Sequence, residues 1–417
     1  MIDFEVKPLN RAFKLIRIKP QMLIKMKEVV PDVYYIGVND YLTKLFEGLW
    51  PIPEGVSYNS YVVKGEKTAL IETVKIPFID EFLKKVEEAT SFDIDYIILN
   101  HIEPDHSSSL PRLLEKVPNA TIYCSKKAEG MLDSLYGITK NIHVVEEGEK
   151  LDLGGRELVF YMDPLVHWPE TMITYDTKDK ILFSCDAFGS YKALDFGLFD
   201  DECDPDIYYE ETIRYFSNII AKYVKYVKKA MEKLAGLDIK IIAPAHGLIW
   251  RKNPQRIIDL YIHLSDRMAI PGVVVIWGSM YGNTAKVVNH VVEGIKEAGL
   301  PVKVMNFSAD HLSYLVKETW KYKGVILGFP TYDGGPFLNT SYYLHLIKRK
   351  DLKERIVGFF GSSLWSGRAL KQAADQVKEL DWEVVEPLLE FKGSPTDEVL
   401  EQAKQLGKAV AERVKSS

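Results

Sequence analysis

The sequence predicts an α/β protein in two parts that differ in their order of strands and helices. At 417 residues the chain is too long for one ordinary hydrophobic core. In the first part, short strand-like stretches come in pairs and are separated by helical patterns, which indicates mixed sheets covered by helices. From residue 271 onward, apolar strands alternate regularly with amphipathic helices, which indicates an open, doubly wound parallel sheet.

Hydrophobic periodicity places the individual elements. In the first part, we predict strands within 32–38, 57–65, 67–74, 95–101, 121–125, 156–162, 172–186 and 240–246, and helices within 78–90, 109–116, 126–135 and 207–235. In the second part, we predict strands within 272–278, 301–307, 324–330, 355–361 and 382–391, and helices within 283–298, 311–320, 338–348, 366–379 and 396–414. The pattern changes near Ile270, so we expect a first domain of residues 1–268 and a second of residues 269–417.

Composition excludes several classes of protein. The net charge of −6 leaves no basic footprint for nucleic acid. No apolar run approaches the roughly 20 residues that span a bilayer, and the N-terminal residues lack the apolar core of a secretory signal. The three cysteines, Cys124, Cys185 and Cys203, are too few for a disulfide framework or a four-cysteine iron site. We therefore expect a cytoplasmic protein that binds neither nucleic acid nor a membrane.

Potential metal ligands follow several predicted strands. Residues 99–110 read LNHIEPDHSSSL, in which an apolar strand leads into a loop with two histidines and two carboxylates. Isolated histidines and an aspartate follow three later apolar stretches. The complete set is His101, Glu103, Asp105, His106, His167, Asp186 and His246. Seven ligands suit two metal ions that share one carboxylate, and the three carboxylates offset three of the four charges of two divalent ions.

The glutamate in the ligand string HIEPDH, residues 101–106, bears on the identity of the metal. Zinc hydrolases of the metallo-β-lactamase fold use the related string H-x-H-x-D-H, in which the second histidine occupies the place of Glu103 here. A carboxylate makes the site harder and more anionic, which favours iron and its ferric state. Any single residue of the set has an ordinary alternative, since Asp105, for example, could cap a helix. Seven such residues at matching strand ends favour a metal site.

Three loops at the ends of predicted parallel strands indicate a flavin site in the second part. The first leads from a strand into a helix and suits a phosphate, yet it has neither the Walker lysine nor the Rossmann glycines, so we expect the monophosphate of FMN. Its residues are Ser279, Met280, Tyr281, Gly282, Asn283 and Thr284. The second loop contributes Pro330, Thr331, Tyr332, Asp333, Gly334 and Gly335. The third contributes Ser362, Ser363, Leu364, Trp365 and Gly367, with Trp365 placed to flank the isoalloxazine ring.

These motifs together resemble the flavodiiron protein family, also called A-type flavoproteins. The resemblance covers nearly all of the chain and includes the segments FEGLWPIPEGVSYNSYVV, HWPETM, LFSCDAFG, APAHGLIWR and SMYGNT. It implies a metallo-β-lactamase-like αββα sandwich with a non-haem diiron site, followed by a five-stranded flavodoxin-like domain that binds FMN. In this resemblance, one iron takes His101, Glu103 and His167, the other takes Asp105, His106 and His246, and Asp186 bridges the two.

The resemblance also implies an activity and partners. The family reduces dioxygen to water or nitric oxide to nitrous oxide, which would serve oxygen detoxification or nitric oxide reduction. It forms a head-to-tail homodimer in which the FMN of one subunit faces the irons of the other, and pairing of dimers into tetramers is left open. Its usual electron donor is rubredoxin, which we expect to be a separate protein here because the chain lacks the four cysteines.

This chain departs from the family pattern in one pocket position. Many members continue DAFG with Gln-His, whereas this chain has Ser190 and Tyr191, so the sequence does not assign the preferred gas. Tyr215 resembles a pocket tyrosine that would donate a hydrogen bond to substrate, although a buried core tyrosine is an equal alternative. Two other functions stay open at this point: a zinc hydrolase with an appended flavodoxin module, and a redox protein without catalytic activity.

Overall fold

The structure is a computed structural model that describes residues 25–417. The N-terminal segment in which we expect no secretory signal lies outside these residues. The first part of the chain contains strands β1 (Lys27–Val30), β2 (Val33–Tyr35), β3 (Val38–Asp40), β4 (Leu45–Phe46), β5 (Trp50–Pro51), β6 (Val56–Tyr58), β7 (Tyr61–Lys64), β8 (Thr68–Ile71), β9 (Tyr96–Ile98), β10 (Thr121–Cys124), β11 (Ile142–Val144), β12 (Lys150–Asp152), β13 (Glu157–Met162), β14 (Met172–Asp176), β15 (Ile181–Phe183) and β16 (Ile241–Ala243).

Helices accompany these strands. They are α1 (Ile79–Thr90), α2 (Pro104–Ser107), α3 (Leu110–Leu114), α4 (Lys126–Tyr136), α5 (Pro205–Tyr215), α6 (Val224–Leu234) and α7 (Pro254–Ser265). Capping residues in the sequence explain both ends of α4: the hydroxyl of Ser125 accepts a hydrogen bond from the Ala128 N–H at its start, and Gly137 ends the helix in the left-handed conformation.

The first part is a sandwich of two mixed sheets. One sheet has the order β1-β2-β7-β8-β9-β10-β11, and the other has the order β12-β13-β14-β15-β16. The strands β8, β9, β10 and β11 pair in parallel, as do β15 and β16, whereas the other neighbours within these two sheets are antiparallel. The predicted α/β sandwich is confirmed. The loops that follow β9, β15 and β16 carry most of the predicted metal ligands.

The second part is a doubly wound parallel sheet, as predicted. It contains β17 (Ile270–Trp277), β18 (Val302–Asn306), β19 (Tyr322–Gly328), β20 (Thr331–Tyr332), β21 (Gly335–Pro336), β22 (Ile356–Ser363), β23 (Glu383–Val384) and β24 (Leu389–Lys392), with helices α8 (Asn283–Glu297), α9 (Leu312–Lys321), α10 (Leu338–Arg349), α11 (Ala369–Lys378) and α12 (Asp397–Lys415). The sheet order is β18-β17-β19-β22-β23, and β24 also pairs with β22. Helix α7 ends at Ser265 and β17 begins at Ile270, while the exact division of the chain at residues 268 and 269 stays a prediction.

Two predicted elements are interrupted in the structure. The helical pattern over 207–235 contains a π-helical turn, Phe216–Ile220, and a short 3₁₀ turn, Ala221–Tyr223, between α5 and α6. The predicted strand over 382–391 divides into β23 and β24, since Pro387 between them offers no N–H for a strand ladder. Among residues 25–417, no helix has the length and apolar character that a membrane span requires.

Candidate metal centre and flavin loops

The structure brings the seven predicted metal ligands together. His101 and Glu103 follow β9, while Asp105 and His106 lie in α2, the short helix directly after them. The other three come from the second sheet of the sandwich, where His167 lies between β13 and β14, Asp186 follows β15 and His246 follows β16. Because β15 and β16 are parallel neighbours, their carboxyl ends bring Asp186 and His246 to the same edge of the sheet.

Asp186 lies between two pairs of histidines. Its Oδ2 is 3.4 Å from Nε2 of His101 and 3.3 Å from Nε2 of His167. Its Oδ1 is 3.2 Å from Nε2 of His106 and 3.3 Å from Nε2 of His246. Each carboxylate oxygen therefore faces a different pair of imidazoles, which is the arrangement of a carboxylate that bridges two cations.

The two remaining carboxylates divide between the same two groups. Oε2 of Glu103 lies 3.2 Å from Nε2 of His101 and 3.1 Å from Nε2 of His167. The carboxylate of Asp105 lies 3.5 Å from Nε2 of both His106 and His246. Within each group the potential ligand atoms lie within 4.8 Å of one another, with Asp186 counted in the first group. Each group thus has the size of a single metal site.

Unpartnered buried atoms indicate that these groups fit cations. Among the described residues, no hydrogen-bond partner exists for either carboxylate oxygen of Asp105 or Asp186, or for Nε2 of His106 and His246. Buried polar atoms without partners are costly, and a cation at the centre of each group would satisfy all of them. The imidazole and carboxylate donors suit both iron and zinc. The donor set therefore fits the predicted pair of metal ions, but it does not by itself distinguish iron from zinc.

The pKa values of His101, His167 and Asp186 in the cluster depend on the charges of their neighbours. Burial lowers the pKa of His101, but hydrogen bonds with Glu103 and Glu170 outweigh it and raise that pKa to about 10. Burial also lowers the pKa of His167, and contacts with Asp186 and Glu103 raise it overall to about 10. Burial raises the pKa of Asp186, yet the surrounding histidines hold it well below its ordinary value. Protons on the histidines therefore balance the carboxylates, and bound cations would displace them.

A second layer of residues orients the histidines, and the sequence analysis did not identify it. Oε1 of Glu170 lies 2.7 Å from Nδ1 of His101, and the carbonyl oxygen of Ser57 lies 2.7 Å from Nδ1 of His246. Such contacts fix the ring and leave Nε2 to face the cluster. Glu170 follows the candidate ligand His167 by three residues in HWPET, and this proximity is the one feature of the sequence that could have indicated its role.

We expect Glu170→Gln to weaken metal binding by roughly 10- to 100-fold, because the neutral amide no longer raises the basicity of the His101 imidazole. Competition against a chelator of known affinity would measure the change. Glu157→Gln, on strand β13 and outside the cluster, is the control and should bind metal like the parent protein. Equal metal affinity of the Glu170 and Glu157 variants would contradict the orienting role.

Tyr191 and Tyr215 both lie beside the metal cluster and are fully buried. Their rings contact each other with centroids 5.1 Å apart, and the Tyr215 ring lies 5.7 Å from that of His246. Phe46 packs edge-on against Tyr191, at 5.5 Å, and against His246, at 5.5 Å. Neither tyrosine hydroxyl has a hydrogen-bond partner among the described residues. Burial raises the pKa of both hydroxyls well above the usual value, so both stay protonated and able to donate.

Phe46, Tyr191 and Tyr215 form a pocket beside the metal cluster, and the guanidinium of Arg214 also borders it. It lies 4.2 Å from the ring centroid of Tyr191 and 4.8 Å from that of Tyr314. Arg214 donates to the carboxylate of Glu211 at 2.8 Å and to the carbonyl oxygen of Pro51 at 2.8 Å. Its position beside Tyr191 could not be read from the sequence, because Pro51, Tyr191 and Tyr314 are distant from it along the chain.

The first flavin loop has the geometry of an anion site. Gly282 has a φ of 90° and precedes α8 without a side-chain cap, so the first N–H groups of this helix stay open. The hydroxyl of Ser279 accepts from the Gly282 N–H at 3.0 Å, and the hydroxyls of Thr284 and Ser362 lie 3.0 Å apart. The last contact joins the first loop to the third.

The other two loops leave a surface for a flat ring. In the second loop, Thr331 and Tyr332 pair with Pro336 and Gly335 in a small hairpin that turns at Asp333 and Gly334. Tyr281 in the first loop is 91% exposed and Trp365 in the third loop is 90% exposed. Large exposed aromatic side chains at one edge of a sheet indicate a binding surface, and they fit an isoalloxazine ring.

Further predicted flavin residues also lie in these loops. Met280, Leu364 and Tyr332 are exposed, Pro330 lies between β19 and β20, and Ser363 is the last residue of β22. Gly367 passes so close to Glu390 that an added Cβ would lie 2.6 Å from that carboxylate. The assignment of these residues, and of Asn283, to FMN stays a prediction.

Comparison with known families and structures agrees with this architecture. Residues 56–247 match the ODP family beta lactamase, and residues 275–407 match the flavodoxin family. An anaerobic nitric oxide reductase flavorubredoxin of Pectobacterium atrosepticum is 31% identical over 391 residues, which cover 91% of this chain and 76% of that protein. The flavodiiron protein of Giardia intestinalis superimposes with a TM-score of 0.90 at 30% identity, over 94% of this chain and 97% of that one.

The chain belongs to the flavodiiron protein family. A further solved structure, the rubredoxin oxygen:oxidoreductase of Desulfovibrio gigas, matches with a TM-score of 0.89 and 29% identity over 94% of this chain and 99% of that one. The predicted metallo-β-lactamase-like domain followed by a flavodoxin-like domain is confirmed. Two of these three relatives are named as a reductase and an oxidoreductase, and none is named as a hydrolase, which supports an oxidoreductase over the zinc hydrolase alternative.

Proposed function

We propose that this flavodiiron protein reduces dioxygen to water, nitric oxide to nitrous oxide, or both, at a non-haem diiron site. FMN in the flavodoxin-like part relays the electrons, and a rubredoxin-type protein supplies them. The position of Asp186 carries the proposal, because one carboxylate contacts two separate histidine pairs and each pair has its own additional carboxylate. That arrangement favours two metal ions over a single one.

The residues of the cluster have distinct roles in this function. Glu103 and His101 with His167 would hold one iron, Asp105 and His106 with His246 the other, and Asp186 would bridge them. Together, the bound irons and FMN would supply the four electrons that dioxygen needs, or the two that couple nitric oxide. Three carboxylates would offset three of the four charges of two ferrous ions and three of the six charges of two ferric ions.

The pocket residues would exclude water from the metal site and donate hydrogen bonds to the substrate. Phe46 and the ring of Tyr191 exclude water from the face next to His246. The protonated hydroxyls of Tyr215 and Tyr191 have no other partner among the described residues and would donate hydrogen bonds to the bound gas or its reduced oxygen. The sequence resemblance places Tyr191 at a position where many family members have a histidine. Here the tyrosine would supply a neutral hydrogen-bond donor instead of an imidazole.

A head-to-tail homodimer would bring the flavin to this site. A cleft of about 840 Å³, lined by Trp50, His167 and Tyr342 among others, opens beside the cluster. The flavin loops lie at the opposite end of α10, whose 12 residues measure about 18 Å at 1.5 Å per residue. Leu45 and Leu49 near the cleft, and the aromatic side chains of the flavin loops, are exposed as a partner surface would be. The three cysteines are free, which agrees with the proposed cytoplasmic location.

The test uses one preparation loaded with iron and FMN in a sealed anaerobic cell with reduced rubredoxin. Dioxygen or nitric oxide is added in parallel runs, and the consumption of each gas and the oxidation of rubredoxin are followed together. We expect rapid consumption of at least one gas, with four electrons per dioxygen or one per nitric oxide. Fast consumption of one gas alone names the physiological substrate. If neither gas is consumed while iron is present in both sites, the proposal fails.

A further inference from the structure

A groove whose lining includes four cations and one carboxylate opens next to the cleft. Its volume is about 410 Å³, and it lies where the start of α6 approaches the residues after α10. We call it the basic groove and define it by its polar lining, which consists of Lys222, Tyr223, Lys225, Tyr226, Lys228, Arg267 and Asp351. The sequence around it, KYVKYVKK over 222–229, contains four lysines and no acid, in a chain whose net charge is −6.

Part of this positive charge is not compensated locally. Lys228 pairs with Asp266 at 2.7 Å, and Arg267 pairs with Asp351 at 2.8 Å. Lys222 and Lys225 are exposed, and no carboxylate of residues 25–417 lies within 4.0 Å of either ammonium group. Cations that are exposed, clustered and unpaired produce a local positive potential that attracts an acidic partner.

The basic groove borders the route to the metal cluster. Lys222 and Tyr223 line both the groove and the cleft that reaches His167. Arg349, the last residue of α10, also lines the cleft and adds a further positive charge there. In the proposed dimer the cleft receives the flavin of the partner subunit, so a molecule held on the basic groove would lie beside that flavin.

We propose that the basic groove docks an acidic protein that donates single electrons to the flavin. The inference rests on the proposed function and adds the surface that the donor uses. The groove suits a protein better than a small phosphorylated ligand, because three of its four cations are exposed lysines and its two tyrosines are only half-buried. Each docked donor is oxidised by one electron, and two encounters with two protons from solvent reduce one flavin fully.

The experiment reverses charge in the groove without touching the cleft. Lys225→Glu and Lys228→Glu are combined in one variant, and Lys225→Gln with Lys228→Gln gives a milder one. The control combines Lys84→Glu with Lys127→Glu, which reverses two exposed lysines of α1 and α4 that lie outside the groove and the cleft. The probe is reduced rubredoxin, and stopped-flow absorbance follows flavin reduction in the full-length holoprotein at low and high salt.

We expect the groove variant to lower the second-order rate of flavin reduction at low salt by roughly 10- to 100-fold, because electrostatic steering is lost. Its rate should depend less on salt than that of the parent, the glutamine variant should be intermediate, and the control should stay within about twofold of the parent. Equal rates for the groove and control variants would overturn the proposal. So would a groove variant that keeps its rubredoxin rate but loses reduction by NADPH, which would assign the groove to a small phosphorylated donor.

Two further measurements separate this proposal from the proposed function. Binding of oxidised rubredoxin, measured without turnover, should weaken in the groove variant by a similar factor, whether or not any gas is consumed. Photochemical reduction of the flavin bypasses the donor, so gas consumption driven by light should be the same in the parent and the groove variant. Lost consumption under light in the parent would contradict the proposed function alone. Lost consumption only in the groove variant would show that the groove residues act after the flavin is reduced, and this would overturn the docking role.

Discussion

Asp186→Asn is expected to empty at least one of the two metal sites and to lower gas consumption by more than 100-fold. The carboxylate contacts Nε2 of four histidines at 3.2 to 3.4 Å, so both metals depend on its charge and on both of its oxygens. An amide offers one oxygen acceptor and no charge. Loss of an orienting residue outside the ligand set costs roughly 10- to 100-fold in metal affinity, and loss of a shared ligand should cost more.

Iron per chain, measured after gel filtration, is the direct readout of this prediction, and circular dichroism checks the fold. Asp163→Asn is a matched control, because Asp163 is also buried in the same part of the chain but lies outside the cluster. Burial raises the pKa of Asp163 to about 7, so a neutral amide is a mild replacement there. Two irons per chain in the Asp186 variant would show that the carboxylate does not bridge metals.

Arg214→Met is expected to destabilise the protein by about 2 kcal/mol and to lower kcat/KM for the gas by about tenfold. Removing one member of a buried ion pair costs about 3–5 kcal/mol, and the partial exposure of Glu211, at 20%, reduces this figure. Arg214 also donates to the Pro51 carbonyl and to the hydroxyl of Ser313 in α9, so its loss frees two segments around Tyr191. Tyr191 then loses the guanidinium that fixes its ring.

Chemical denaturation and steady-state kinetics would measure these two effects. Arg112→Met is the matched control, since Arg112 forms an ion pair with Glu115 at the same spacing of three residues but on the exposed surface. Exposed pairs of this kind contribute less than about 1 kcal/mol. Arg214→Lys should recover part of the stability, because it keeps the charge and loses the planar fork of donors. If the Arg214 and Arg112 variants are equally stable, the pocket does not depend on this contact.

Features encoded by local sequence could be predicted without the structure. The alternation of strands and helices after residue 271 predicts the doubly wound sheet, because hydrophobic periodicity depends only on neighbouring residues. The string from His101 to His106 marks a ligand loop for the same reason, since its residues are close in sequence. The interruption of the 207–235 pattern by a π-helical turn was missed, because the side chains of this turn pack against other parts of the fold.

The amino-acid sequence by itself therefore determined the two-part α/β architecture, the family and the residue types of the metal and flavin sites. Only the tertiary structure decided that Asp186 faces one histidine pair with each oxygen, that Glu170 orients His101, and that Arg214 reaches Ser313, 99 positions away. It also joined the lysines of α6 to Arg267 in one groove. Such contacts depend on how distant segments pack, and short-range periodicity carries no information about them.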